Sequence, residues 1–478
     1  MIANLIDGKP RSPAGRKALA IYNPASGEVI EEVPLSSADD VDAAVSSAAR
    51  AAISWSQTPV TDRVALMFRY KALLEAHLEE LAAIVTRHHG KTLDEARGEV
   101  RRGIDVVDFA CSAPTLLQGR TLRDVNRGVD QDCYRYPLGV AAGITPFNFP
   151  AMIPLWTFPL AIVAGNTFVL KPSERTPLGA MHLAQLALEA GFPEGVLNVV
   201  HGAEEAVDAL IAHPGVRAVS FVGSEPVARH VYQRAAHHLK RVQAAGGAKN
   251  HMFVMPDADL NLASAAILNS AFGNAGERCL AGSVAVVVGD VARPLLERLD
   301  GDARRLRVGP GDQRGVDIGP LIRDEHRRRV IAHVERGVEQ GARVVLDGRA
   351  REYLERPGFF FGPTILDGVT PAMAAAREEI FGPVLSISHV NSLEDALEQA
   401  NRTVYGNMAA LFTSSGRAAR AFREGVEAGM VGINVGVAQP FAFYPFSGWR
   451  ASFYGDLHLQ GTDGVEFFTR KKVVVTRW

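Results

Sequence analysis

The stretch FGNAGERCLAG, residues 272–282, places a cysteine directly after an arginine in a run of small residues. A thiolate is a strong nucleophile, and a neighbouring positive charge favours the thiolate over the thiol. The glycines and alanines let another molecule approach the backbone closely. Cys279 is therefore a candidate covalent catalyst, with Arg278 as the group that favours its ionisation. The alternative is a packing residue, because free cysteines are among the most buried residue types.

Two further stretches place polar side chains where strands are predicted to end. In PFNFP, Asn148 follows a predicted strand, and a buried amide there can donate to a developing oxyanion. In LKPSE, Lys171 and Glu174 follow a second predicted strand, where an ammonium and a carboxylate can hold ribose hydroxyls. The alternatives are a turn-forming asparagine and an exposed ion pair, which is worth about 0–1 kcal/mol.

A strand-to-helix turn is predicted in FVGSEPVAR, residues 221–229. Gly223 allows close backbone approach, Ser224 can cap the helix, and the amides of the helix N-terminus can bind a pyrophosphate. The dinucleotide fingerprint GxGxxG is absent from this turn. The alternative is therefore a common Gly-Ser turn that only joins a strand to a helix.

The elements that must position these residues alternate between strands and helices. Such alternation predicts a largely parallel sheet wrapped by helices, with ligands at the carboxyl ends of the strands. The predicted strands are Leu138–Ile144, Phe168–Lys171, Leu197–Val200 and Ala218–Val222, and the predicted helices are Met181–Ala190 and Val227–Leu239.

Composition limits the class of protein. The 478 residues are 47% hydrophobic and 22% charged with a net charge of −2, which is typical of a globular protein of about three domains. Near-neutral charge argues against nucleic-acid and membrane partners. The three cysteines lack CxxC spacing, which disfavours a metal site and disulfides. No signal peptide or membrane span is recognised, and a cytoplasmic location is predicted.

Six motifs occur in the order found in the aldehyde dehydrogenase superfamily: GITPFNFP, VLKPSERTP, SFVGS, GERCLAG, EEIFGPVL and PFSGW. The sequence resembles that superfamily from about residue 20 to the C-terminus. The resemblance implies NAD(P) chemistry, with Cys279 as nucleophile and Asn148 and the Cys279 amide as oxyanion donors. The implied cofactor contacts are Thr145, Phe147, Lys171, Glu174, Arg175, Ser224, Gly246, Glu379 and Phe381.

The same resemblance implies an α/β fold of three parts. These are a Rossmann-like cofactor domain (residues 1–119 and 138–247), an α/β catalytic domain (248–459) and a small β oligomerisation segment (120–137 and 460–478). In the oligomerisation segment, the terminal strand Val473–Trp478 is expected to pair with the segment around 120–137. The family is usually a dimer of dimers, so a homotetramer is expected.

Two positions depart from the superfamily pattern. The stretch AGGAK has Ala245 where the family's ELGGK carries the glutamate that activates water. Ala228 replaces the glycine that usually closes the turn after the strand, which puts the phosphate geometry in question. Hydrolysis of a thioester gains about 10²–10⁴-fold from a general base, whereas a thiol acceptor with a pKa near 8.5 needs less help. Coenzyme A is therefore the expected acyl acceptor.

RVQAAGGAKNH, GERC, AFYPFSGWRASFYGDLH and FTRKKVV closely resemble the methylmalonate-semialdehyde dehydrogenase branch. This resemblance implies NAD-dependent oxidation of malonate or methylmalonate semialdehyde to acetyl-CoA or propanoyl-CoA, with release of CO₂. Arg278 and Arg102 are then expected to bind the substrate carboxylate, although Arg102 also suits the surface of an amphipathic helix. Two alternatives stay open: a hydrolytic enzyme in which Glu379 activates water, and a non-catalytic protein with the same fold.

Overall fold

A computed structural model describes residues 1–13 and 17–478 of the chain. Its strands are β1 (Asn4–Ile6), β2 (Lys9–Arg11), β3 (Ala18–Tyr22), β4 (Val29–Pro34), β5 (Arg120–Asn126), β6 (Val129–Pro137), β7 (Val140–Ile144), β8 (Thr167–Lys171), β9 (Leu197–Val199), β10 (Val216–Gly223), β11 (Arg241–Gly246), β12 (Asn250–Val254), β13 (Gly282–Val288), β14 (Arg343–Leu346), β15 (Thr364–Asp367), β16 (Val384–Val390), β17 (Tyr405–Gly406), β18 (Met408–Phe412), β19 (Met430–Ile433), β20 (Trp449–Arg450), β21 (Phe453–Tyr454) and β22 (Thr469–Arg477).

The α-helices lie between these strands and cover their faces. They are α1 (Ala38–Trp55), α2 (Val60–Ala76), α3 (Leu78–His89), α4 (Leu93–Cys111), α5 (Ala113–Leu116), α6 (Met152–Val163), α7 (Pro177–Glu189), α8 (Glu204–Ala212), α9 (Glu225–His237), α10 (Leu260–Phe272), α11 (Ala292–Ala303), α12 (Asp324–Glu339), α13 (Arg351–Leu354), α14 (Ala374–Arg377), α15 (Leu393–Asn401), α16 (Gly416–Gly425) and α17 (Gly461–Phe467).

The first large sheet has the strand order β2-β1-β9-β8-β7-β10-β11-β21. Strands β9, β8, β7, β10 and β11 run parallel, as the alternation of strands and helices predicts. Every residue of β7 and β8 is buried, which is the pattern of a parallel sheet covered on both faces. The register pairs Ile144 with Lys171, so the turns that follow these two strands begin side by side.

The predicted boundaries in this region agree with the structure to within a few residues. Strand β7 begins at Val140 rather than at Leu138. The reason is that Gly139 has φ +124, and the amides of Leu138 and Gly139 donate to the side chain of Asn166 instead of to a neighbouring strand. Helix α7 begins at Pro177, four residues before the predicted start, since proline suits the first turn of a helix. The predicted helix at Val227–Leu239 is α9.

The second large sheet has the order β14-β15-β16-β13-β12-β18-β19 and carries the strand that follows Cys279. A third sheet has the order β22-β6-β5, and Val473 of β22 lies opposite Cys133 of β6. This pairing confirms that the terminal strand meets the segment 120–137. Strand β22 begins at Thr469, four residues before the predicted start, and its residues are mostly exposed.

Two segments connect the sheets across the predicted domain ranges. Strand β21 lies within the range 248–459 but pairs with β11 of the first sheet. Near the N-terminus, the carbonyl of Pro24 accepts a hydrogen bond from the amide of Phe359, at 2.8 Å. Among the described helices, none combines the length and the apolar character needed to cross a membrane.

Candidate active site

A strained turn carries the chain from α10 to Cys279. Asn274 and Ala275 have φ values of +58° and +52°, a conformation that L-residues other than glycine seldom adopt. Gly276 follows with φ +71, and a Cβ atom there would lie 2.1 Å from the carbonyl oxygen of Gly382. Only glycine fits at this position. Three successive left-handed residues thus aim the nucleophile, and such strain is typical of functional turns.

Two buried asparagines fix the backbone of the nucleophile. The carbonyl oxygen of Cys279 accepts hydrogen bonds from Nδ2 of Asn250 and Nδ2 of Asn407, both at 2.8 Å. Nδ2 of Asn250 also donates to the Ala281 carbonyl at 2.8 Å, and its Oδ1 accepts from the Met408 amide at 3.0 Å. Neither asparagine is among the predicted site residues. The one signal in the sequence is that Asn250 directly follows the AGGAK stretch.

Replacing Asn250 with alanine is expected to weaken both the fold and the rate. The Ala281 carbonyl and the Met408 amide lose their hydrogen bonds to Asn250, while the Cys279 carbonyl keeps the one from Asn407. Each unsatisfied buried group costs about 1–3 kcal/mol. We therefore expect a lower midpoint in urea unfolding and a lower kcat, because the loop around Cys279 is no longer held. Asn401 is the matched control, since it also bonds two backbone groups but at the surface. Equal effects of the two alanine variants would contradict this role of Asn250.

Asn148 lies beside the nucleophile loop as predicted. It is 4% exposed, and its Nδ2 donates to the carbonyl of Glu277 at 3.0 Å. A side-chain amide has two donor hydrogens, so the second is available for an oxyanion at Cys279. The Asn148 carbonyl accepts from Nζ of Lys91 at 2.7 Å, and Lys91 forms a buried ion pair with Glu99 at 2.5 Å.

Glu99 also accepts hydrogen bonds from the amides of Ala151 and Met152, at 2.8 and 3.2 Å. Lys91 and Glu99 therefore hold the PFNFP turn from both ends. Both residues are absent from the predicted site, because they lie far from that turn in the sequence and no motif singles them out. A buried pair of this kind needs good geometry to offset its desolvation, and here each partner also bonds the backbone.

The acidity of Cys279 differs from the sequence expectation. Burial, and to a lesser extent the nearby Glu379 carboxylate, raises the pKa of the Cys279 thiol to about 12. Arg278 and the amides of Cys279 and Leu280 act in the opposite direction. Arg278 therefore acts on the thiol in the predicted direction, but its effect is smaller than the opposing one. The cause is desolvation of the thiolate, which adjacent residue types do not reveal.

Arg278 and Arg102 carry charges that no carboxylate of the described chain neutralises through a hydrogen bond or ion pair. Burial lowers the pKa of Arg278, while Glu95 and Cys279 act against it. Burial and the charge of Arg278 lower the pKa of Arg102, although part of that side chain stays exposed on α4. The two guanidinium groups therefore lie close enough to repel. An anion placed between them relieves that repulsion.

The predicted ribose contacts form a buried pair at the ends of parallel strands. Nζ of Lys171 lies 3.2 Å from Glu174, and Lys171 is 4% exposed, so the alternative of an exposed ion pair is wrong. Burial alone raises the pKa of Glu174, but the charge and hydrogen bond of Lys171 hold it below the usual value. The Arg175 guanidinium lies over the Phe147 ring at 5.4 Å. Thr145 has a buried hydroxyl without a partner among the described residues.

The turn after β10 differs in one detail from the prediction. Ser224 occupies the N-cap position of α9, but its side chain makes no capping hydrogen bond within the described chain. Pro226 at the second helical position lacks an N–H, which removes one of the usual donors. A Cβ on Gly246 would lie 2.6 Å from the carbonyl oxygen of Gly223, so two turns meet here. Ala228 is fully buried, and α9 continues through it without a break.

Glu379 and Phe381 lie opposite the PFNFP turn. The Glu379 carboxylate accepts from the amide of Ala248 at 3.0 Å, and burial raises its pKa to about 7. Phe381 has φ +60 and its ring lies 5.9 Å from the ring of Phe147. Its carbonyl accepts a hydrogen bond from Nε2 of His326 at 2.6 Å, which holds this unusual conformation. His326 is a residue that the sequence gives no signal for.

Glu277 lies beneath the nucleophile loop and is fully buried. Oε1 accepts from the Ile322 amide at 3.2 Å and lies 3.4 Å from Nε2 of His326. Desolvation raises the pKa of Glu277 to about 8. Its backbone carbonyl accepts hydrogen bonds from Nδ2 of Asn148 and Nδ2 of Asn274, at 3.0 and 2.7 Å. This residue therefore connects the oxyanion donor with the strained turn.

Known proteins resemble the chain over its whole length. Residues 11–474 match the aldehyde dehydrogenase family. Malonate-semialdehyde dehydrogenase 2 of Geobacillus kaustophilus is 53% identical over 100% of this chain and 99% of its own length. Malonate-semialdehyde dehydrogenase 1 of Geobacillus thermodenitrificans is 52% identical over the same shares of the two chains.

Solved structures agree with these relatives. Methylmalonate-semialdehyde dehydrogenase from Oceanimonas doudoroffii has a TM-score of 0.98 and 46% identity, covering 100% of this chain and 98% of its own. A protein of Sinorhizobium meliloti 1021, described as a methylmalonate-semialdehyde dehydrogenase and solved with NAD, has a TM-score of 0.98 and 44% identity over the same shares. The predicted fold class is confirmed, and the chain belongs to the aldehyde dehydrogenase family.

Proposed function

We propose that this chain oxidises malonate or methylmalonate semialdehyde with NAD and transfers the acyl group from Cys279 to coenzyme A, with release of CO₂. The observation that carries the proposal is the combination of two guanidinium groups without a carboxylate partner, Arg278 beside Cys279 and Arg102 near Arg278, with an alanine at position 245. The guanidinium groups suit an aldehyde that carries a carboxylate. The alanine suits a thiol as acyl acceptor, because a thiol needs less help from a base than water does. The names of the relatives support the semialdehyde substrate and its oxidation.

The residues at the strand ends fit a dinucleotide. The Lys171–Glu174 pair and the free hydroxyl of Thr145 offer donors and acceptors for ribose and phosphate oxygens. The start of α9 offers amides to a pyrophosphate, and the Gly223–Gly246 contact keeps side chains out of that approach. When bound, NAD accepts the hydride of the oxidation step.

Cys279 then carries the acyl group. The Cys279 thiol releases its proton to solvent, and the thiolate sulfur attacks the aldehyde carbon. The resulting alkoxide receives hydrogen bonds from Nδ2 of Asn148 and the Cys279 amide. Loss of the hydride converts the thiohemiacetal into a thioester on the same sulfur. The β-carboxylate leaves as CO₂, and the bonding electrons pass into a thioester enolate that the same donors stabilise before solvent protonates it. The thiol of coenzyme A finally attacks the thioester and releases the Cys279 sulfur.

Ala245 offers no base, although the superfamily pattern ELGGK has a glutamate at this position. Ala245 is 6% exposed and pairs with Val222 of β10 and Phe453 of β21. One observation favours the hydrolytic alternative: Glu379 has a pKa of about 7 and lies near enough to Cys279 to raise the thiol pKa. A carboxylate of that pKa is suited to general base catalysis at neutral pH.

Product analysis separates these two functions. With malonate semialdehyde, NAD and coenzyme A, we expect acetyl-CoA in a ratio of one to each NADH formed, measured by chromatography and absorbance. Without coenzyme A, NADH formation should slow by about 10²-fold or more, because a base contributes on that order to hydrolysis. Free acid formed at the same rate with and without coenzyme A would establish the hydrolytic function instead.

The sheet β22-β6-β5 is proposed as the surface that joins subunits into a homotetramer. It exposes the apolar side chains of Leu122, Tyr134, Tyr136, Val473 and Val475. Exposed strands of this kind pair readily with another chain. The domain ranges, the cytoplasmic location and the absence of nucleic-acid and membrane partners stay predictions.

A further inference from the structure

Two histidines and a glutamate meet on the surface of the cofactor domain, apart from the active-site residues. His77 lies between α2 and α3, Glu80 lies in the first turn of α3, and His182 lies in α7. Their nitrogen and oxygen ligand atoms all lie within 4.8 Å of one another. We refer to these three residues as the His77–Glu80–His182 cluster.

The two distances from Glu80 to the histidines are close to those of a tetrahedral metal site. Oε2 of Glu80 lies 2.8 Å from Nδ1 of His77 and 3.6 Å from Nε2 of His182. Ligand atoms about 2.1 Å from a zinc ion at tetrahedral angles lie about 3.4 Å apart. The distance from Glu80 to His182 already matches this value. The distance from Glu80 to His77 widens by about 0.6 Å when a metal ion takes the place of the proton that the two side chains share.

One ligand atom of the cluster lacks a hydrogen-bond partner. Nε2 of His182 is shielded from solvent and has no hydrogen-bond partner among the described residues, although it faces Glu80. Imidazole nitrogens and carboxylate oxygens are atoms that bind a transition metal. The His182 nitrogen is therefore available to a metal ion that it shares with Glu80.

We propose that the His77–Glu80–His182 cluster binds one divalent transition-metal ion, of which zinc is the best match for two imidazoles and a carboxylate. The site bridges α3 and α7, and the chain just before α7 carries Lys171 at the end of β8 and Glu174 in the following loop. The ion therefore stabilises the cofactor domain rather than taking part in the reaction at Cys279. Cysteine spacing gives no sign of this site, because its ligands are distant in the sequence and include no cysteine.

Zinc titration of the full chain by calorimetry tests the proposal. Any purification tag is removed, and Cys279→Ala is present throughout so that the catalytic thiol does not compete. We expect one zinc ion per chain and a rise in Tm with zinc, because a ligand of the native state stabilises it. His182→Ala and Glu80→Gln should each weaken binding by about tenfold or more, since even supporting residues of metal sites matter by that factor.

His230→Ala is the matched control, because His230 pairs with Asp208 outside the cluster. Zinc affinity should be unchanged in that variant. Glu80→Gln keeps the shape of an exposed side chain, so it serves if His182→Ala disturbs the fold. With cobalt as probe, the parent should give the intense visible bands of a tetrahedral ion, and Glu80→Gln should lose them. Absence of saturable binding at one ion per chain, or zinc affinity in Glu80→Gln and His182→Ala equal to that of the parent, would overturn the proposal.

Discussion

Cys279→Ala is expected to lower NADH formation by about 10⁴-fold or more, because loss of a covalent nucleophile removes the whole reaction path and not one contact. The affinity for NAD should change little, since the Lys171–Glu174 pair and the α9 turn lie on other strands. Steady-state kinetics with malonate semialdehyde measures the first effect, and fluorescence titration with NAD measures the second. This prediction also tests the alternative of a non-catalytic protein.

The other two cysteines are the controls for that experiment. Cys111 is buried at the end of α4, and Cys133 lies in β6 opposite Val473. Neither position belongs to the site, so Cys111→Ala and Cys133→Ala should keep nearly full activity. Substantial turnover in Cys279→Ala, or loss of activity in Cys133→Ala alone, would show that the nucleophile is assigned wrongly.

Arg102→Leu is expected to lower kcat/KM for malonate semialdehyde by about 10- to 10²-fold, since the lost hydrogen bond to a charged group is worth about 1.5–3 kcal/mol. Arg102 and Arg278 form no hydrogen bond or ion pair with a carboxylate of the described chain, so the substrate carboxylate is their expected partner. Lysine should not restore the rate, because its ammonium cannot bind a carboxylate with two parallel hydrogen bonds. Kinetics of Arg102→Leu and Arg102→Lys measure both effects.

Propanal and Arg101 supply the controls. Propanal lacks the carboxylate, so its kcat/KM should fall much less in Arg102→Leu. Arg101 is the neighbouring residue on α4 and pairs with Glu75 at 2.5 Å, so Arg101→Leu should leave both substrates nearly unaffected. Arg278→Leu is expected to impair propanal somewhat more, because Arg278 also acts on the thiol pKa. Equal losses for semialdehyde and propanal in Arg102→Leu would exclude the carboxylate contact.

Local patterns predict the first sheet well because its strands are continuous apolar runs that end in turns. Strands β7 and β8 and helices α7 and α9 lie within a few residues of their predicted bounds. The short strand β21 is not predicted, because two residues carry no periodic pattern and their pairing with β11 depends on the tertiary fold. Recognition of the family from ordered motifs draws attention to Cys279, Asn148 and the Lys171–Glu174 pair, whose catalytic and ribose-binding roles stay predictions.

The supporting residues of the site could not be predicted in the same way. Asn250, Asn407 and His326 act through hydrogen bonds to backbone groups that are distant in the sequence. Such partners are defined only when the strands are assembled. The pKa of Cys279 is a similar case, because desolvation depends on the whole surrounding structure and outweighs the adjacent Arg278. Residue types at a motif therefore predict roles better than they predict energies.

Acyl transfer to coenzyme A from Cys279 is the central claim, and single-turnover kinetics with intact-protein mass spectrometry tests it most directly. The chain is mixed with NAD and malonate semialdehyde in the absence of coenzyme A. We predict a burst of one NADH per active Cys279, an added mass on the protein equal to an acyl group, and rapid loss of that mass when coenzyme A is added. The acyl group persists before that addition because Ala245 provides no base for hydrolysis. A steady rate without a burst, with unmodified protein and a rate indifferent to coenzyme A, would contradict the account.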